Sequence, residues 1–321
     1  MTVDDFIPLA EAAEKALQEA GKDLLERLKP PPGPYPLFHH QSHAVERVRD
    51  VLTVLRRLFE DGDRLAVLTR EQDRLGVDKH PPSVPFPPEM ITLFAEEGEL
   101  TRRMKIDLES LYVFGTVLLD QWALLTAYLL GLPHPEKTTF NKLVGMCEDE
   151  EERGAANSIW ATCRQQMLWL HYQVRYYRNH FIIHADRPWQ RGLTYSPYGG
   201  SANLFIPSPP GWLNDAEIDQ RILALLPLAP QWLQRRPPGS REQAPRALLE
   251  GLFEHIGEVQ RKADRERIAA LVGQAGISTP DFTVLGRALL QFIAEATPVV
   301  LAGATKYPER VNLGRAEART S

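Results

Sequence analysis

The stretch that decides the fold is Leu111–Leu132, LYVFGTVLLDQWALLTAYLLGL. It is long enough to cross a bilayer, but Asp120-Gln121 sits at its centre and no strongly basic flank follows it. A charge in mid-bilayer is costly and a span is usually flanked by basic residues, so the run reads as a buried core helix. The same helix extends back to about Glu99 and stops at Gly131-Leu132-Pro133, where glycine and proline end helical structure. The chain holds no alternating run long enough for a large sheet and no internal repeat. Together these features predict an all-α protein, a multi-helix bundle with Pro-rich linkers.

Working outward, Phe6, Leu9, Ala13, Ala16, Leu17, Ala20, Leu24 and Leu28 recur at helical spacing and predict a helix over 4–28. Pro30-Pro31-Pro32-Gly33-Pro34-Tyr35-Pro36 ends it as a stiff connector. A second helix is expected over about 42–75, with Asp61-Gly62-Asp63 marking a break. The proline-rich linker His80–Pro88 follows, and helix resumes near Pro88-Glu89. Beyond the central helix, a short one is expected at 138–147 and a long one at about 150–186. The Pro/Gly-rich excursion over 187–242 reads as extended chain with a short hairpin and one helix near 215–226. Helices at about 243–273 and 280–302 complete the chain, leaving 303–321 as a flexible tail. The implied domains are an N-terminal helical region, 1–88, and a larger helical domain, 89–302.

Composition narrows the function. The 321 residues are 43% hydrophobic and 25% charged, ordinary values for a globular protein, and the net charge is −5. A protein that coats nucleic acid is normally basic, so any RNA contact here is a local patch. Cys147 and Cys163 are the only cysteines, too few for a disulfide framework and without zinc spacing, and they read as buried thiols in a reducing compartment. The acidic start, Met1-Thr2-Val3-Asp4-Asp5, lacks the pattern of a signal peptide. A cytoplasmic protein without a membrane partner is expected. No P-loop, dinucleotide fingerprint, HExxH or GxSxG sequence is present.

The chemistry concentrates in Tyr176-Tyr177-Arg178-Asn179-His180-Phe181-Ile182-Ile183-His184-Ala185-Asp186. Arginine binds phosphate with a planar fork of donors, and histidine exchanges a proton near neutral pH. Upstream, Glu109, Thr116 and Asp120 fall within about 20° of one another on an ideal helix and form a thin polar stripe. Buried carboxylates need cationic or hydrogen-bonding partners, which Arg175, Arg178, His180 and His184 would supply. The stripe reads equally as an ordinary polar network that fixes helix register. Arg187, Trp189 and Arg191, with Arg175 upstream, could grip RNA by charge and stacking, or Arg187–Arg191 could form a solvated loop with one anchoring tryptophan. His39 and His43, one helical turn apart beside Glu46, resemble half of a metal site or a solvent-facing pair. His40 cannot share their face.

Arg178-Asn179, four residues and then His184 resemble the R-polar-x4-to-6-H signature of the HEPN superfamily, helical domains of many prokaryotic toxin and phage-defence ribonucleases. The segment Asp107–Phe114, continuing to Leu118-Leu119-Asp120, resembles the acidic, hydrophobic helix that precedes that motif. The resemblance covers roughly residues 100–190. It implies Arg178, Asn179 and His184 as catalytic positions, His180, Glu109 or Asp120 as support, and a composite site at a homodimer interface. Many toxin members carry a tyrosine two residues after the motif histidine; Asp186 stands there in this chain, against regulation by adenylylation at that position.

Helix geometry agrees with a dimer. Arg178 and His184 are six positions apart and point about 120° away from each other on an ideal helix. A single copy does not bring the arginine and both histidines together unless the helix is distorted near its end, whereas two copies facing across a two-fold axis could. The chemistry expected is metal-independent RNA cleavage without a cofactor. His184 would transfer the proton, Arg178 would steady charge on the phosphorane, His180 could carry a second proton, and Asn179 would orient a histidine or phosphate oxygen. Two function classes follow: an endoribonuclease of a toxin–antitoxin or phage-defence system, or a non-catalytic HEPN-like module that binds a nucleotide, RNA or a protein such as an antitoxin or defence-system partner.

Overall fold

The structure, a computed structural model, describes residues 2–29, 35–77, 80–81, 84–152, 159–176, 192–196, 201–206, 277–278, 281–306 and 311. The all-α architecture is observed. Among the described residues, six α-helices carry the fold: α1 (Ile7–Leu28), α2 (Pro36–Leu75), α3 (Pro88–Leu130), α4 (Phe140–Glu152), α5 (Arg164–Leu170) and α6 (Phe282–Lys306). The expected short hairpin exists as β1 (Gly192–Ser196) and β2 (Ser201–Ile206), paired antiparallel with Gly192 opposite Phe205. A two-residue strand, β3 (Ile277–Ser278), pairs antiparallel with the far end of β2. The helices expected near 215–226 and 243–273 lie outside the described residues.

Several boundaries differ from the sequence reading. α2 begins at Pro36, because proline in the first turn has no N–H to lose there. It runs unbroken through Asp61-Gly62-Asp63: a mid-helix glycine costs only about 1 kcal/mol, and here both Gly62 and Asp61 are buried. The turn expected to resume at Pro88 and the central helix are one 43-residue helix, α3. The helix expected at 138–147 extends to Glu152. What was expected as one helix over 150–186 is broken among the described residues. A 3₁₀ turn (Ile159–Thr162) leads into α5, which passes directly into a π-helical segment, His171–Tyr176. α6 continues to Lys306, past the expected tail boundary, and carries Pro298, which is exposed and only removes one donor from the helix ladder.

The chain forms two compact units, each drawn from separate pieces. In the unit containing Val54–Leu111, α2 and α3 run antiparallel and are tied by Arg57–Asp107, Asp61–Arg103 and Arg64–Glu96, with Gln72 Nε2 donating to Glu97 at 2.8 Å. Leu58, Leu68, Met104 and Leu108 are buried there, and Phe59 meets Phe282 edge-on at 5.0 Å.

The other unit contains Thr2–Thr53, Tyr112–Arg178 and Leu285–Ser321. α1 buries Ala10, Ala13, Leu17 and Ala20, a helical stripe, and its Leu17 carbonyl accepts from Gln41 Nε2 at 2.7 Å. Gly21 makes room for that Gln41 amide, which a Cβ there would strike. Trp122, Phe140 and Phe292 form an aromatic triad with ring separations of 4.7, 5.8 and 6.2 Å, and Trp122 Nε1 donates to Thr297 at 3.2 Å. α3 ends with Gly131 at φ 62°, where Leu132 N–H reaches back to the Ala127 carbonyl at 2.9 Å. This is the left-handed cap that Gly131-Leu132-Pro133 predicted.

α3 and α6 are each long and apolar enough to cross a membrane, but 61% and 56% of their most apolar windows is buried inside the protein. Those faces are spent on packing against other helices, which is how Asp120-Gln121 can sit amid so much leucine.

Candidate functional site

Arg178, Asn179, His180, His184, Arg187 and Arg191 lie outside the described residues, as does Trp189. Arg175 stands on the π segment, with its backbone described. The approach to the motif is therefore the part whose geometry is on view, and it is a built one. α5 buries Gln166, Met167, Leu168, Trp169 and Leu170 in succession. Gln166 Nε2 donates to Glu295 at 2.7 Å, and Gln291 donates to the other oxygen of the same carboxylate, also at 2.7 Å. This anchors α5 to α6 one turn before the backbone changes its hydrogen-bond pattern.

The change itself, six residues of π-helix at His171–Tyr176, ends two residues before Arg178. A π turn closes on the fifth residue rather than the fourth, so side chains after it emerge at a different angle from those of a continuous α-helix; such turns are rare and are frequent at functional sites. The segment is held at Gly115 of α3. A Cβ on Gly115 would lie 3.3 Å from Val174 Cγ1 and 2.8 Å from Leu289 Cδ1, so the π segment and α6 both close on α3 at a residue without a side chain. Val174 is fully buried there.

The polar stripe of α3 divides. Glu109 is partly exposed, and Thr116 is buried with its hydroxyl donating to the Tyr112 carbonyl within its own helix at 2.8 Å. Asp120 Oδ1 accepts the Phe140 N–H at 2.9 Å and so caps the start of α4 from a neighbouring helix. Thr116 and Asp120 thus have structural work in place. The most buried carboxylate of α3 is Asp107, 4% exposed, which sequence reasoning passed over. A signal for it existed: Arg57-x3-Asp61 on α2 and Arg103-x3-Asp107 on α3 are the same pattern on two helices, and the structure pairs them reciprocally.

At the start of α2, His39 and His43 share a face with ring centroids 4.1 Å apart, while His40 meets His39 only edge-on at 5.8 Å and points toward α3. His40 Nδ1 lies 3.0 Å from Gln121 Oε1 and its ring stacks on Tyr128 at 5.7 Å. Burial is the main force holding the His40 pKa below the usual histidine range, opposed by the Gln121 hydrogen bond and assisted by the charges of His39 and His43. Among the described residues no three His, Cys, Asp or Glu side chains gather as a metal-ligand group.

Comparison with protein families, with curated proteins and with solved structures finds no match to this chain.

Proposed function

We propose that the chain is a HEPN-like endoribonuclease whose active residues are Arg178, Asn179 and His184, working as a homodimer in a toxin–antitoxin or phage-defence setting. The observation that carries the reading is the motif Arg178-Asn179-x4-His184, which follows the buried helix α5 in sequence. It draws support from the π segment His171–Tyr176, a register change of the kind that re-aims side chains near working sites.

In this reading His184 takes the proton from the ribose 2′-OH. The 2′-oxygen attacks phosphorus, Arg178 stabilises the negative charge that grows on the phosphorane oxygens, and the bond to the 5′-oxygen breaks. A protonated histidine, His180 or the partner copy's motif histidine, supplies the proton to that leaving oxygen. The products are a 2′,3′-cyclic phosphate and a 5′-hydroxyl. The acid, base and cation are all side chains, so the reaction needs no metal. The test is incubation of RNA with the purified protein in chelator. Cleavage to cyclic-phosphate ends that disappears in His184→Ala supports the enzyme; intact RNA with retained RNA, nucleotide or protein binding assigns the chain to the non-catalytic class instead.

A further inference from the structure

Two imidazoles at the start of α2 stand outside both the buried core and the proposed reaction. His39 and His43 are one helical turn apart, and their ring centroids lie 4.1 Å from each other. His39 is exposed and His43 is half-buried. Among the described residues neither ring has a hydrogen-bond partner; His43 meets only His39, and His39 meets only His40 and His43. His40, by contrast, is committed to α3, with its Nδ1 3.0 Å from Gln121 Oε1 and its ring on Tyr128.

Ring nitrogens with no hydrogen-bond partner, paired at this spacing, suit a metal ion. Histidines at i and i+4 lie on one face of a helix and can aim a nitrogen each at one point, as in helical zinc sites. Two imidazoles on one zinc, with Zn–N bonds of about 2.0 Å at tetrahedral angles, have centroids roughly 5 Å apart. The pair would open by about an ångström to reach that geometry, which small rotations of two side chains without hydrogen bonds supply.

Two ligands leave such an ion incomplete. A structural zinc takes four protein ligands, and among the described residues no third His, Cys, Asp or Glu joins this pair. A two-fold axis turns two ligands into four. The exposure of His39 fits this use, because a ligand shared between copies has to stand at the surface. Imidazole is a good donor for zinc, which imposes no geometry of its own on four nitrogens contributed by two crossing helices.

We propose that His39 and His43 of two copies of this chain together hold one Zn²⁺ on a two-fold axis. The contact is isologous, the same face of α2 meeting itself across the metal. Four Zn–N bonds form, and the water that hydrated the ion returns to solvent. The proposal does not rest on the ribonuclease reading, whose chemistry uses other histidines and no metal.

The test uses the full-length protein, stripped with chelator and then titrated with Zn²⁺, or with Co²⁺ as a spectroscopic stand-in. Binding should saturate at one ion for two chains, and zinc should raise the midpoint of thermal unfolding. Co²⁺ should show the intense visible absorption of a tetrahedral site rather than the weak bands of an octahedral one. His39→Ala and His43→Ala should each weaken binding at least about tenfold, as loss of a ligand requires. Both side chains lie outside the buried core, so these variants should fold. His134→Ala, at an exposed histidine elsewhere, should bind as the parent does. One ion per chain, an octahedral Co²⁺ spectrum, or undiminished affinity in both alanine variants would overturn the proposal. RNA cleavage is scored separately in chelator, so failure of the zinc site and failure of the ribonuclease reading are distinguishable.

Discussion

Arg57 of α2 donates its Nε to Asp107 of α3 at 3.0 Å, and four residues along each helix the roles reverse, with Arg103 of α3 donating its Nε to Asp61 of α2 at 3.1 Å. The two pairs fix the antiparallel register of these helices, since a slip of one residue on either would separate both. Their carboxylates are buried and their guanidiniums about half exposed.

That asymmetry predicts unequal effects. Arg57→Ala strands a buried carboxylate, whereas Asp107→Ala frees an arginine that water can solvate. Arg57→Ala should therefore lower Tm by a few degrees, and Asp107→Ala by less. The exchange Arg57→Asp with Asp107→Arg should be worse than either, because it places a buried guanidinium where only its carboxylate partner fitted. Calorimetry on the three variants decides this, and equal losses for the two alanine variants would refute it.

Gly115 sets the distance between α3, Val174 and Leu289. Gly115→Ala gains about 1 kcal/mol of helix propensity, offset by displacement of the flexible Leu289 end, so it should be close to neutral. Gly115→Val cannot be accommodated in that way and should destabilise by about 1–3 kcal/mol, the usual cost of overpacking. Shortening Leu289 to alanine in the same chain should recover part of the loss. Denaturant unfolding measures all three.

His40 gives stability a pH dependence. Its folded pKa is held below that of an ordinary histidine, about 6.5, chiefly by burial, so the unfolded chain binds its proton more readily. The contribution is present above about pH 6.5 and is lost as pH falls through the range between the two pKa values. The groups around it are His39 and His43 on α2 and Gln121 and Tyr128 on α3, with the Glu136 charge acting on Tyr128. His40→Gln should flatten the fall in Tm between pH 7 and about pH 5. An unchanged slope would show that the pH sensitivity resides elsewhere.

The proposed reaction predicts that His184→Ala lowers RNA cleavage by roughly 10²–10⁴-fold, the range for loss of a general acid–base group. Arg178→Lys keeps the charge but loses the planar fork, and should also lower cleavage strongly while leaving the fold unchanged. Cleavage that survives both substitutions would remove the catalytic assignment.

A composite site predicts a homodimer. Mixing His184→Ala chains with Arg178→Lys chains should then yield more activity than either alone, because one hybrid arrangement restores an intact pair of groups. Light scattering that finds only monomer, with activity retained, would exclude shared sites.

The core helix, its glycine stop, the helix of α1 and the hairpin within 187–242 were all legible in the sequence, because each rests on local periodicity or on a glycine or proline whose backbone preference acts within one turn. Boundaries were less legible. Asp61-Gly62-Asp63 looks like a break by propensity, yet tertiary packing outweighs about 1 kcal/mol at a glycine.

For the site, the residue types at Arg178, Asn179 and His184 were readable and the surroundings were not. Amino-acid order alone carries the periodicity that makes this chain an all-α protein, and the chemistry available in its motif. Only the tertiary structure decides that Asp120 caps α4, that Asp107 rather than Glu109 is the deeply buried carboxylate, and that a π segment seated against Gly115 precedes the motif. The reason is physical: periodicity is a property of neighbours along the chain, whereas burial, hydrogen-bond partners and helix register depend on side chains contributed by helices distant in sequence.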